Sequence, residues 1–176
     1  MDKVRLDKST GKGWFRRLIG RVPTDVRVAV AAIGLVGVLG GWATQIGPWY
    51  LALQQPPWKP PDALFGPAWL LIYLLAGWAC VRAWRRSPPD RRLTLWTVWF
   101  CNGALNIAWS VLFFSMRRPD WALPEAVLLE LSILCMMAVM RVVDRRAVIL
   151  LLPYAVWVGV AALMNRAVVQ LNGPFA

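Results

Sequence analysis

The sequence predicts an all-α integral membrane bundle of five transmembrane helices with a long Pro/Trp-rich first loop. Three observations carry this. Apolar residues make up 59% of the chain and charged residues only 16%, against about 25% charged in an ordinary soluble domain. The charges crowd into the N-terminal stretch and a few connectors. Between them lie five nearly uncharged segments, at about 28–46, 63–81, 93–114, 121–140 and 147–165, each close to the ~20 residues that cross a ~30 Å hydrocarbon core as a helix.

Backbone polar groups find no water in lipid, so such segments must be helical or close into a barrel. The apolar/polar alternation of a barrel strand is absent. The 176 residues suit one domain, divided into a basic N-terminal extension over 1–27 and a transmembrane domain over 28–172. The extension is too long and too charged for a signal peptide, and further spans follow it. Its Trp14–Ile19 stretch reads either as a short amphipathic segment on an anionic lipid surface or as a solvated tail.

The net charge of +11 raises the question of nucleic acid. Binding it needs basic residues gathered on a water-exposed folded face; here they flank apolar runs, so a nucleic-acid partner is not expected. The same charges orient the chain. With five spans, one side carries Lys3, Arg5, Lys8, Lys12, Arg16, Arg17, Arg21, Arg27, Arg82, Arg85, Arg86, Arg91, Arg92, Arg141, Arg145 and Arg146. The other carries only Lys59, Arg117, Arg118 and Arg166. The positive-inside rule then predicts a cytoplasmic N-terminus and an external C-terminus. An even number of spans would spoil the asymmetry.

The connector at 47–62 is the longest. Pro48, Pro56, Pro57, Pro60 and Pro61 predict a semi-rigid extended segment, and Trp49, Tyr50 and Trp58 suit the membrane interface. Such a loop can also fold over the bundle as a lid.

There is no His, so the commonest general base and metal ligand is missing. Cys80, Cys101 and Cys135 each lie within an apolar run without zinc-ligand spacing; no metal and no resident cofactor is expected. Asn102, Asn106 and Ser110 recur every four residues on one face of the third span, and Asn165 lies near the end of the fifth. They either bond between helices or line a cavity, and the two are compatible. Glu130 stands in the fourth span as a carboxylate without an in-sequence cation partner. Gly37-x-x-x-Gly41 and Ala155-x-x-x-Gly159 would let helices approach closely and make a homodimer plausible.

Twelve tryptophans need a place. Trp49, Trp58, Trp84, Trp96 and Trp121 fall near span ends, where an interfacial belt accounts for them. Trp69, Trp78, Trp109 and Trp157 lie deeper; they are either ordinary packing or a stacking site for a large flat ligand.

Trp49-Tyr50, Trp58-x-Pro60-Pro61, Phe65-x-Pro67-x-Trp69, Tyr73 and Gly77 resemble the first loop and second helix of the tryptophan-rich sensory protein/translocator protein family, also known as the peripheral-type benzodiazepine receptors. The similarity continues through Leu105-Asn106-x-x-Trp109-Ser110-x-x-Phe113-Phe114, Trp121-Ala122-Leu123, Pro153-Tyr154-x-x-Trp157 and Asn165, in order over about residues 40–172. The resemblance implies a dimeric five-helix bundle with a pocket roofed by the first loop. It further implies porphyrins such as protoporphyrin IX as ligands, with roles in regulating tetrapyrrole metabolism or stress responses. Carried over by position, the pocket comprises Trp49, Tyr50, Trp69, Tyr73, Asn106, Trp109, Ser110, Phe113, Trp157 and Ala161. An alternative that the resemblance raises is light-dependent porphyrin breakdown with Trp157 as the redox-active group. A third function class, a transporter of unrelated solutes or a purely structural bundle, finds little support in one intramembrane acid. Two features depart from the family. Asn165-Arg166 lacks the Tyr of the proposed cholesterol motif, a motif that is itself weak, and the basic N-terminal extension has no counterpart.

Overall fold

The computed structural model describes residues 22–175; the Trp14–Ile19 segment and most of the basic extension lie outside them. Six α-helices follow in order: α1 Thr24–Ala43, α2 Pro48–Ala52, α3 Phe65–Arg86, α4 Pro89–Ser110, α5 Pro119–Val143 and α6 Arg145–Asn172. A 3₁₀ turn, Asp62–Leu64, leads into α3, and a π-helical turn, Val111–Ser115, continues α4. With those turns included, five of the helices are long and apolar enough to cross a membrane. The chain is a multi-pass membrane protein.

Four of the spanning helices run further than the apolar segments, gaining polar or charged turns such as Arg82–Arg86 on α3 and Arg141–Val143 on α5, because a helix continues through the interface while long side chains reach water. α1 is shifted instead: it starts at Thr24, four residues before the predicted 28, and ends at Ala43, three before the predicted 46. The predicted extended loop also needs correction: Pro48–Ala52 is a helical turn. Proline starts helices well, since its missing N–H falls where no intrahelical partner exists. Pro89 and Pro119 open α4 and α5 in the same way; Pro124 and Pro153 even stand inside α5 and α6, as membrane helices tolerate.

Lipid takes the place of water as the outer solvent. Leu70, Leu71, Leu74 and Trp78 on α3, Leu128, Leu131 and Leu134 on α5, and Ile149, Leu152, Val156 and Leu163 on α6 are all exposed. On a soluble protein so continuous an apolar surface would drive association. Trp78, one of the four deeper indoles, therefore faces outward rather than converging with the others. Inside, Ala79, Ala83, Ala122 and Ala147 are fully buried alongside Ile133, Met136, Met140 and Leu151. Helices in lipid gain no hydrophobic drive from meeting each other, so close approach through small residues supplies the contact. α5 packs most extensively on α6, α3 crosses α6, and α1 leans on α3 and α4. At the α1–α3 crossing a Cβ on Gly77 would collide with Ile33.

One end of the bundle is tied by charge. Asp144 accepts from Arg82 Nε at 2.9 Å, lies 3.2 Å from Arg86 Nη1 and caps α6 through the Arg146 N–H at 3.0 Å. Burial pushes the Asp144 carboxyl upward, but the Arg146 amide and the two guanidiniums outweigh it and hold its pKa below the ordinary 3.8. At the other end α2 and the following loop cover the bundle. The Gln54 N–H donates to Asn172 Oδ1 at 2.8 Å, and Asn172 Nδ2 donates to the Gln54 carbonyl at 2.9 Å. Trp49, Tyr50 and Leu53 pack against Phe113 and Val168. The Pro/Trp-rich loop is thus pinned to the last turn of α6.

Candidate ligand-binding site

Beneath that loop lies a cavity of about 390 Å³, within the ~300–1,000 Å³ of small-molecule sites. Each wall comes from a different element. α3 contributes Phe65, Trp69 and Tyr73; α4 and its π turn contribute Asn106, Trp109, Ser110, Phe113 and Phe114; α6 contributes Trp157, Ala161, Met164, Asn165 and Val168. The α1 wall is nearly bare, with Gly37, Gly40 and Gly41, and the loop closes the top with Tyr50, Gln55, Lys59 and Asp62.

Local structure explains why these side chains meet. On α3, Trp69 and Tyr73 are four residues apart and share a face, their rings 5.3 Å apart. On α4, Trp109 stacks on Phe113 at 5.2 Å and 28°. The π turn that follows, with the Met116 N–H bonded back to the Val111 carbonyl at 2.8 Å, inserts an extra residue into the helix. Such turns re-aim side chains and occur often at functional sites; here both Phe113 and Phe114 line the cavity. The glycines on α1 leave the space the aromatic rings do not fill. Gly37 and Gly41 of the Gly37-x-x-x-Gly41 pair both line the cavity.

Nine of the ten positions carried over by resemblance border this one space: Tyr50, Trp69, Tyr73, Asn106, Trp109, Ser110, Phe113, Trp157 and Ala161. Trp49 does not. It lies behind the wall with its ring 6.2 Å from Phe113 in an edge-on contact, bracing the ring that lines the cavity. Trp157 packs edge-on against Phe65 at 5.5 Å.

The polar residues of α4 serve both purposes the sequence left open. Tyr73 Oη donates to Asn106 Oδ1 at 2.9 Å, Asn106 Nδ2 donates to Tyr154 Oη at 3.1 Å, and Tyr154 Oη donates to Asn102 Oδ1 at 3.2 Å. Asn102 Nδ2 then donates to Ser132 Oγ at 2.8 Å, which in turn donates to the Leu129 carbonyl. The chain joins α3, α4, α6 and α5 and fixes which way the Asn106 amide faces. Asn106 is therefore an interhelical tie and a cavity wall at once.

Several buried polar atoms have no partner among the described residues. Trp109 Nε1, Gln55 Nε2 and both side-chain atoms of Asn165 line or border the cavity in this state. Unpaired buried polar groups are costly, and a cavity where they collect is matched to a guest bearing complementary groups. Glu125 is a residue the sequence reading passed over: it is more deeply buried than Glu130, and neither carboxylate oxygen has a partner. Glu130 was not the solitary intramembrane acid. Lys59, Phe65, Phe114 and Met164 are further wall residues beyond those predicted. Asn165 had a visible signal, an amide within an apolar run; Lys59 had none, since a charged loop residue reads as solvated.

The TspO/MBR family model matches residues 29–171, the whole bundle described above. The chain belongs to the TspO/MBR family. Among its relatives, the tryptophan-rich protein TspO of Archaeoglobus fulgidus is 34% identical over 82% of this chain and 93% of its own length. Protein CrtK of Rhodobacter capsulatus is 31% identical over 82% of this chain and 89% of its own. The translocator protein of Ovis aries is 32% identical over 70% of this chain and 75% of its own. TspO/MBR membership agrees with the five-span architecture and supports a membrane receptor-type role.

Proposed function

We propose that this TspO/MBR protein is a membrane receptor, sensor or carrier for porphyrin-like tetrapyrroles, protoporphyrin IX being the type ligand, and that it acts in regulating tetrapyrrole metabolism or stress responses. The observation that carries the reading is the cavity wall: three indoles, Trp69, Trp109 and Trp157, face a space kept open by Gly37, Gly40 and Gly41. Flat aromatic guests gain from offset or edge-on contacts with such rings beyond their area burial. The unpartnered Trp109 and Asn165 atoms supply orientation. The arginine distribution supports a cytoplasmic N-terminus, and the likeness to bacterial relatives supports a bacterial inner membrane. A homodimer is part of this reading; on the fifth span an added Cβ on Gly159 meets nothing within 4 Å, whereas Ala155 packs against the core.

Titration of purified protein with protoporphyrin IX is expected to quench tryptophan fluorescence saturably. A Trp69→Ala/Trp157→Ala variant is expected to lose about a hundredfold in affinity, about 2–3 kcal/mol over two aromatic contacts and their burial. Equal binding by the variant would overturn the site.

One observation favours an enzymatic second reading, that the Trp157 indole itself borders the cavity and would touch the guest. Illumination of the complex would then yield a bilin-like absorbance that Trp157→Phe abolishes. A wild-type complex whose spectrum is unchanged by light rejects it.

A further inference from the structure

The roof of the cavity differs chemically from its walls. Lys59 is the sole cation among the described residues that line it, and it is turned inward. Its side chain is only 16% exposed, whereas that of its acidic neighbour Asp62 is 60% exposed. The ammonium bonds to Asp62, reaches Tyr50 Oη at 3.4 Å and sits 5.6 and 5.8 Å from the centroids of the Tyr50 and Phe65 rings. Burial alone would lower its pKa, but Asp62 and Tyr50 reverse this and raise it, so the group stays charged at neutral pH. An ammonium has three donors, and only two are taken. Gln55 lines the same cavity, and its buried Nε2 is a second donor with no partner among the described residues.

A half-buried cation with a donor to spare and an orphaned amide N–H bordering the same space form a site for an anion with more than one acceptor oxygen. A carboxylate supplies two such oxygens. Charge-assisted hydrogen bonds are about twice as strong as neutral ones, and solvent screens Asp62 far more than it would a guest group held under the loop. Building on the tetrapyrrole reading above, we propose that Lys59 and Gln55 form a carboxylate anchor in the roof. It makes the protein selective for flat hydrophobic acids over their neutral counterparts and fixes the guest with its acidic edge toward the loop. The aromatic walls bind the ring; the roof chooses among rings by charge.

The test compares protoporphyrin IX with its dimethyl ester, the same ring without the negative charges, by tryptophan quenching in detergent. Wild type is expected to bind the acid about tenfold more tightly than the ester, the size of one charge-assisted hydrogen bond. Lys59→Gln should bring that ratio close to one, with ester binding still measurable as evidence of a folded cavity. Lys59→Arg should restore the ratio. Asp62→Asn, which removes the competing carboxylate, should raise it. Equal wild-type affinities for acid and ester would overturn the anchor while leaving the tetrapyrrole site standing, as would a Lys59→Gln ratio unchanged from wild type. Binding of neither guest would instead overturn the tetrapyrrole reading on which the anchor rests.

Discussion

Two aromatic clusters stand at different places in this bundle, and only one encloses space. In the first, Trp84, Trp96, Trp99 and Phe100 fill one another's faces. Trp96 stacks on Phe100 at 5.2 Å and 20°, Trp84 and Trp99 meet Trp96 edge-on, and Arg92 covers the Trp84 ring at 4.9 Å. In the second, Trp69, Tyr73, Trp109, Phe113 and Trp157 line the walls of a cavity of about 390 Å³. Aromatic content is similar in the two. What differs is the opposing surface: glycines on α1 in one, further aromatic rings in the other. A tryptophan-rich helix pair is therefore not a site in itself; the missing side chains across from it make one. Unpartnered atoms of Trp109, Gln55 and Asn165 border the cavity, while those of Arg82, Glu125 and Glu130 lie away from it.

Several substitutions test that contrast between packed and open regions. The largest effect belongs to the packed part. Leu151 is fully buried, and Leu151→Ala is expected to cost about 2–5 kcal/mol through lost contacts and a new void, read as a lowered thermal midpoint in detergent. Trp69→Ala, in the open region, should do the reverse: about a tenfold loss of porphyrin affinity with a much smaller change in midpoint. Tyr154→Phe sits between the two. It removes the hydroxyl that links Asn106 to Asn102, at about 0.6–1.7 kcal/mol for a bond between membrane helices, and should weaken porphyrin binding because Asn106 loses its fixed orientation. If Tyr154→Phe changed neither property, the hydrogen-bond chain would be incidental.

The smallest effect lies at the charged end. The Asp144 carboxyl is held below its ordinary 3.8 in the folded protein. A depressed carboxylate contributes stability above its unfolded pKa and loses it as pH falls through the folded value. The Asp144 contribution should thus be complete near pH 5 and fade below about pH 4. Its guanidinium partners are partly exposed, with Arg86 at 49%, so the ion pairs add about 1 kcal/mol or less. Asp144→Asn should lower the neutral plateau of a midpoint-against-pH profile by that small amount and flatten its acid limb, the two profiles meeting at low pH, while leaving porphyrin affinity alone.

Much of this was legible in the sequence, for definite reasons. Span number and class follow from hydropathy, because lipid forces every backbone group in a 20-residue apolar run into helix. The site positions were legible only through resemblance. Periodicity put Asn102, Asn106 and Ser110 on one helix face but could not say that Asn102 meets Ser132 while Asn106 meets Tyr73. Trp78 was indistinguishable by depth from the indoles that line the cavity, and only resemblance put Trp49 among them; tertiary packing turned Trp49 behind the wall and Trp78 to lipid. α2 was missed because proline was read as a breaker where it begins a helix. Glu125 was missed because a carboxylate four residues after Trp121 reads as interfacial, whereas α5 starts at Pro119 and carries it inward. Lys59 reads as a solvated loop charge until the loop is seen folded back over α3 and α6.

The central claim is that the open cluster, not the packed one, holds the tetrapyrrole. The most direct measurement is an experimental structure of the protein with protoporphyrin IX bound. The ring is expected between Trp69, Trp109 and Trp157, beneath Tyr50 and against the Gly37–Gly41 wall. A ring lying instead on the exposed face of Trp96 and Phe100, with the cavity under the loop unchanged, would contradict the account.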